Sequence, residues 1–434
     1  MNIQRKELLI TSFGLFSLFF GAGNLLLPPL LGHNAGEDWL WVTIGFMITA
    51  VVIPILGILA HARLQGTLFD FGKKVSPTFS FVYCILIYII AVAIPSPRTA
   101  AATHEIAIHP AFGTSPLWTS TIYFALVLVF VLNRSKILSI IGKFLTPLIV
   151  IILLLVIGIG LFSSELFTGT PQFDTPIVTG ILEGYQTFDA IGAVVVGAVI
   201  IVSLNFKNME VEAYSSKRIL IRKSGFIAGL GLFIIYAGLI SVGAYYGSEI
   251  NINEDLSNDM QRANLLRGIS IASLGEFGNM VLSILISLAC FTTAVGIIAG
   301  TADYFKGLLN NSQTVYIITA IIASIFGVVV GQLDFNSIIV VAIPVLLFIY
   351  PITIVLILLN VLPEKLATPL VFRTVIIVTF IFSIPDVIGF LSPSEGLKMV
   401  TSYIPFANQS LGWILPALVV FVISSFVQSK QKTA

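Results

Sequence analysis

Charge is what this sequence has least of. Only 10% of its 434 residues are Asp, Glu, Lys or Arg, against 57% apolar residues and a mean hydropathy of +1.03. A water-soluble domain carries roughly 25% charged residues. The deficit excludes an ordinary soluble enzyme and indicates a chain that crosses a membrane many times. Cysteine is almost as scarce. Cys84 and Cys290 both fall inside apolar runs, so they read as small buried hydrophobes and not as a disulfide framework. Several chemical signatures are missing too. There is no HExxH zinc pair, no GxxxxGK[ST] phosphate loop and no evident pair of intramembrane aspartates, which argues against an intramembrane enzyme or an ATP-driven pump. No repeated pore-loop filter suggests a passive channel. Neither a cofactor nor a nucleic-acid partner is expected, and Met1–Glu7 is too short for a signal peptide's charged region plus a cleavable segment.

What is there is a series of long apolar runs, near 8–31, 39–60, 77–97, 115–132, 138–162, 184–205, 225–247, 277–302, 314–331, 336–359, 370–391 and 404–427. Spanning a bilayer takes roughly 20 apolar residues, so about twelve transmembrane helices are expected. With the N-terminus inside, 18 of the 22 Lys and Arg fall on inside segments, leaving Arg98, Arg262, Arg267 and Lys398 outside. That bias fits the positive-inside rule and predicts that both termini are cytoplasmic. The basic segment Asn205–Ser224 reads either as an interfacial amphipathic helix or as a plain cytoplasmic loop.

Three stretches interrupt this pattern. The first is Phe19–Pro29, FFGAGNLLLPP, inside the first span. Glycine weakens a helix interior and proline removes a backbone donor, so a break is predicted. In lipid, broken helix survives only where protein or a water-lined cavity covers it. A kinked, closely packed helix without a ligand is the plainer alternative. The second stretch is Glu183–Gly192, EGYQTFDAIG, at the opening of the sixth span, where Asp189 is either a site residue or a helix cap. Breaks in spans one and six put five spans in each half, and an odd repeat forces the halves into opposite orientations. Paired breaks of this kind point to a transporter's midplane site. The third stretch is LACFTTAVG in the eighth span, where Ala289, Thr292 and Thr293 share one helical face. Their hydroxyls either bond back to the preceding turn or offer hard oxygens to a cation.

FGAGNLLLPP, EGYQTFDAIGA and LACFTTAVG together resemble the bacterial branched-chain amino acid:cation symporters. The resemblance covers essentially the whole chain. It implies an all-α polytopic membrane protein with the leucine-transporter-like five-plus-five inverted repeat, helices one and six broken, and two further C-terminal helices. On that reading residues 1–162 and 184–359 are the two repeats and 370–427 the accessory spans. The implied activity is import of Leu, Ile or Val across the bacterial cell membrane, coupled to a cation gradient. The cation is sodium, with proton coupling through Asp189 or Glu105 as the alternative. Sodium would sit among the carbonyls of Ser17, Phe20 and Ala289 and the hydroxyls of Thr292 and Thr293. The substrate carboxylate would meet the amides near Ala22, Gly23 and Asn24. Its ammonium would meet carbonyls near Phe19 and Thr187–Phe188, together with Asp189, and Phe188 would line the apolar pocket.

Overall fold

Among the described residues (5–64, 66–133, 141–163, 168–205, 214–246, 250 and 258–431), every regular element of the structure, a computed structural model, is a helix. In chain order these are α1 (Arg5–Phe19), α2 (Ala22–Ala35), α3 (39–64), α4 (Pro77–Phe112), α5 (Pro116–Leu132), α6 (Thr146–Ser163), α7 (Pro176–Tyr185) and α8 (Asp189–Asn205). They continue with α9 (Tyr214–Tyr246), α10 (Asn258–Leu274), α11 (Glu276–Leu308), α12 (Gln313–Val330), α13 (Phe335–Val361), α14 (Pro369–Leu391) and α15 (Ile414–Gln431). Eight helical runs among the described residues are long and apolar enough to cross a membrane.

Helix starts fall where the sequence supplies them. Ser76 caps α4 by accepting from the Phe79 amide (3.0 Å), and Asp334 caps α13 by accepting from the Ser337 amide (2.8 Å). The Ser337 amide and hydroxyl stabilise the charged form of Asp334, so its carboxyl titrates below the ordinary value. Pro77, Pro116, Pro176 and Pro369 occupy first turns, where a missing amide costs nothing.

Three boundaries differ from the sequence expectation. The sixth span does not open near 184: the half-helix α7 precedes it from Pro176, and the interruption lies at 186–188. The third span does not end near 97 but runs on to Phe112, because Pro95 and Pro97 sit in the first turn of a restarted helix rather than in a loop. The last span starts at Ile414 and not near 404, since Phe406 and Ser410 hold left-handed backbone that a helix cannot accommodate. The segment before α11 carries a further helix, α10, of 17 residues. Of the basic segment Asn205–Ser224, residues 206–213 lie outside the described residues.

Two packings organise the centre. Helix α2 lies along α9, and α7 lies along the first part of α3. Both depend on glycine. A Cβ on Gly32 would stand 1.9 Å from the Ile240 carbonyl oxygen, and one on Gly243 would stand 1.9 Å from that of Pro29. On the other pair, a Cβ on Gly45 would stand 2.0 Å from the Ile177 carbonyl oxygen, and one on Gly180 would stand 2.2 Å from that of Val42. Small residues let backbones approach in membranes, where packing replaces the hydrophobic drive. Gly32→Leu is therefore expected to destabilise the detergent-purified protein by about 3 kcal/mol or more, read as a lowered Tm. Gly158→Ala, with nothing within 4 Å of the new methyl, is expected to leave Tm unchanged or raise it.

Candidate functional site

The first interruption is short. Helix α1 stops at Phe19, and the Phe20 amide makes its last bond to the Phe16 carbonyl (2.8 Å). Gly21 is extended (φ −115°, ψ −164°), and α2 restarts at Ala22. The turn is held by Asn24, whose Oδ1 accepts from the Gly21 amide (3.1 Å). The prolines do not make the break: Pro28 and Pro29 lie inside α2, which continues to Ala35. What stops the helix is the glycine, together with a side chain that captures its amide.

The second interruption is tighter. Gln186, Thr187 and Phe188 close as successive three-residue turns on the carbonyls of Glu183, Gly184 and Tyr185. Phe188 then adopts φ +63°, a left-handed conformation that a bulky residue avoids and that marks a strained, over-determined position. The Thr187 hydroxyl caps the next half-helix by accepting from the Asp189 amide (3.2 Å), and the Tyr350 hydroxyl accepts from the Ala190 amide (3.1 Å).

The two breaks touch. A Cβ on Gly23 would stand 3.3 Å from the Gln186 carbonyl oxygen and 3.5 Å from the Thr187 Cα. A buried network joins them: Asn24 Nδ2 donates to Asp189 Oδ2 (2.6 Å) and to the Tyr236 hydroxyl, which itself donates to Asp189 Oδ2 (3.5 Å). Asp189 is 3% exposed at the first position of α8, so it is buried between helices and does not face water. Between the breaks lies a narrow cavity of about 40 Å³. Phe19, Gly23, Asn24, Thr187, Phe188 and Asp189 all line it, with Ile191, Val195, Val196 and Ile297 as apolar wall. A cavity this narrow must widen to hold more than water. A larger groove of about 540 Å³ involves α3, α7, α13, α14 and α15, but its lining is almost wholly apolar and suits no charged end of an amino acid.

A second cluster lies against the first break. The Ser17 hydroxyl donates to the Thr292 hydroxyl (3.0 Å), which donates to the carbonyls of Ser17 (2.9 Å) and Ala289 (3.0 Å). The Thr293 hydroxyl donates to the Ala289 carbonyl (3.2 Å). Neutral oxygens about 3 Å apart, without sulfur or nitrogen, match the donor set that hard cations use. Phe20, expected to join this set through its carbonyl, stacks its ring on Phe16 (5.4 Å) and Tyr236 (6.0 Å). The hydrogen bonds that build the cluster belong to the other four residues. Thr293 belongs to both places, because it also lines the central cavity and faces Gly21, where a Cβ would stand 2.8 Å from its hydroxyl.

Two groups escaped the sequence reading. Tyr236 carried no signal beyond being one tyrosine in an apolar span. Arg98 carried one: it was an exception in the count of outside cations. It is not in a loop, however, but 3% exposed on α4, lining the cavity and donating to the Gln186 carbonyl (2.7 Å). Arg262, also counted outside, is 5% exposed on α10 and pairs with Glu183 of α7 (2.9 Å). The Glu183 carboxylate also accepts from Gln186 Nε2 (2.9 Å). Neutralising Arg262 alone (Arg262→Gln) is expected to cost about 1–2 kcal/mol, because the pair is only partly buried. A double-mutant cycle with Glu183→Gln, read by thermal melting, checks this.

Interrupted helices that meet at a partly polar cavity inside an all-helical membrane bundle match the leucine-transporter-like fold. The chain is similar to a Na+-coupled sialic acid symporter solved in a substrate-bound outward-open state (TM-score 0.62, 12% identity, 97% of this chain and 89% of that one). It is also similar to MhsT in complex with L-phenylalanine (TM-score 0.53, 17% identity, 96% and 98%). At such identities the likeness shows the fold alone. Sequence goes further. Residues 4–431 match the family described as branched-chain amino acid transport protein, and the chain belongs to that family. Relatives include the branched-chain amino acid transport system 2 carrier protein of Pseudomonas aeruginosa (33% identical over 98% of this chain and 96% of that one). Another is the branched-chain amino acid permease BraB of Bacillus subtilis (32%, 97% and 95%). The family and these relatives are transporters and permeases, not enzymes.

Proposed function

We propose that this protein imports Leu, Ile and Val across the bacterial cell membrane by symport with sodium, through alternating access, with both termini in the cytoplasm. The carrying observation is that Gly23 of one break lies against Gln186 and Thr187 of the other, with the hydroxyl cluster beside them. The amides opening α2 at Ala22, Gly23 and Asn24 receive the carboxylate, at the positive end of a helix dipole. Asp189 and the carbonyls near Phe19, Thr187 and Phe188 receive the ammonium. Phe188, Ile191, Val195 and Ile297 enclose the branched side chain. One methylene is worth only about 1–3 kcal/mol, so the three substrates compete. Ser17, Phe20, Ala289, Thr292 and Thr293 hold the ion, which is cargo and must also leave. Residues 1–162 and 176–359 act as the inverted halves, a reading favoured by mirrored packing: α1 and α2 both lie along α9, and α7 and α8 both lie along α3.

Uptake of labelled leucine into proteoliposomes tests this. A sodium gradient is expected to drive accumulation, and excess Ile or Val to suppress it. A buried carboxylate at the substrate cavity favours one other reading, proton coupling through Asp189. Accumulation that follows a pH gradient and ignores sodium would select it.

A further inference from the structure

Arg98 has no place in the account so far. An ionised side chain inside a membrane helix is expensive and faces protein or cavity. Its neighbours hold this one in place. Its Nη1 donates to the Gln186 carbonyl (2.7 Å), its guanidinium lies over the Phe188 ring (5.9 Å), and its Nη2 reaches to 3.4 Å from where a Cβ on Gly23 would stand. The last contact sets the geometry. Nη2 stands beside the first turn of α2, where free amides open, and the guanidinium forms part of the cavity wall. Asp189 lines the same cavity. One arginine and one aspartate in a small space match the two charges of a zwitterion.

We propose that Arg98 is the ionic partner of the substrate carboxylate. It binds that group through Nη2 beside the α2 amides while Nη1 stays on the Gln186 carbonyl. The inference rests on the amino-acid reading given above. The ligand class it selects is narrower: an α-amino acid with a free carboxylate, in preference to the corresponding amide or amine. Arginine suits the task because its planar fork bonds a carboxylate and a second acceptor together, which a lysine ammonium does less well. The plainer role, a brace for the second break through Gln186, would weaken every ligand alike.

Equilibrium binding of leucine and leucinamide to the detergent-purified protein separates the two. The wild type is expected to favour leucine. Arg98→Gln is expected to weaken leucine by about 100-fold and leucinamide by no more than about threefold, since a buried charge partner is lost for one ligand only. Arg98→Lys is expected to fall between. Equal weakening of both ligands, or unchanged leucine binding, overturns the assignment. If wild-type protein binds no leucine, the broader amino-acid reading fails. If it binds leucine but keeps its preference in Arg98→Gln, only this inference fails.

Discussion

Asp189→Ala is expected to reduce leucine transport by about 100-fold or more, the scale of removing one member of a buried, hydrogen-bonded charge pair. The carboxylate has two duties. It holds the Asn24 amide (2.6 Å) and so ties the second break to the residue that caps the first. It also supplies the negative wall of the cavity. Asp189→Asn separates these. An amide oxygen can still accept from Asn24, so the breaks stay joined and Tm is expected to change little. The charge is gone, so ammonium binding and transport are expected to fall nearly as far as in the alanine variant. Leucine uptake into proteoliposomes, with thermal melting alongside, checks both. An Asp189→Asn protein that transports at wild-type rates would remove Asp189 from the substrate site.

The second large effect concerns the hydroxyl cluster. Thr292→Val keeps side-chain shape but deletes the oxygen that joins Ser17 and Ala289. Thr293→Ala deletes the oxygen that stands between the cluster and the cavity. Each is expected to raise the sodium concentration for half-maximal leucine uptake by about tenfold, and the double variant by about 100-fold, since a hard cation loses a ligand each time. Maximal uptake at saturating sodium is expected to fall much less for Thr292→Val than for Thr293→Ala, because only Thr293 reaches the cavity. Uptake measured across a sodium titration at fixed leucine distinguishes the two. A sodium dependence unchanged in both variants would place the ion elsewhere.

The first break was legible because glycines at 21 and 23 and a capping asparagine at 24 carry local information about backbone conformation. The prolines beside them misled, since a helix can continue through a proline when neighbouring packing supports it, as α9 supports α2 here. The second break was legible in Asp189, but α7 was not. Its Thr179, Gly180, Glu183 and Gly184 dilute the apolar signal, although they are what allow close approach to α3 and the tie to Arg262. Arg98 was hidden by chemistry of the opposite kind. Two prolines next to a charge read as a loop, and only the fold turns that segment inward against Gln186. The threonine pair was visible by helical spacing, whereas its meeting with Ser17, far away in sequence, is a tertiary fact that no local pattern contains.

The claim on which everything rests is that a cation at Ser17, Ala289, Thr292 and Thr293 and an amino acid between the breaks stabilise one another. Linkage makes this measurable, because two ligands that couple must raise each other's affinity by the same factor. The most direct test is leucine binding to purified protein as sodium replaces choline, repeated across pH, with sodium binding measured at low and saturating leucine. The account predicts that leucine affinity rises with sodium, that the reciprocal factor matches, and that Thr293→Ala moves the rise to about tenfold higher sodium. Leucine affinity that is indifferent to sodium at every pH would contradict it.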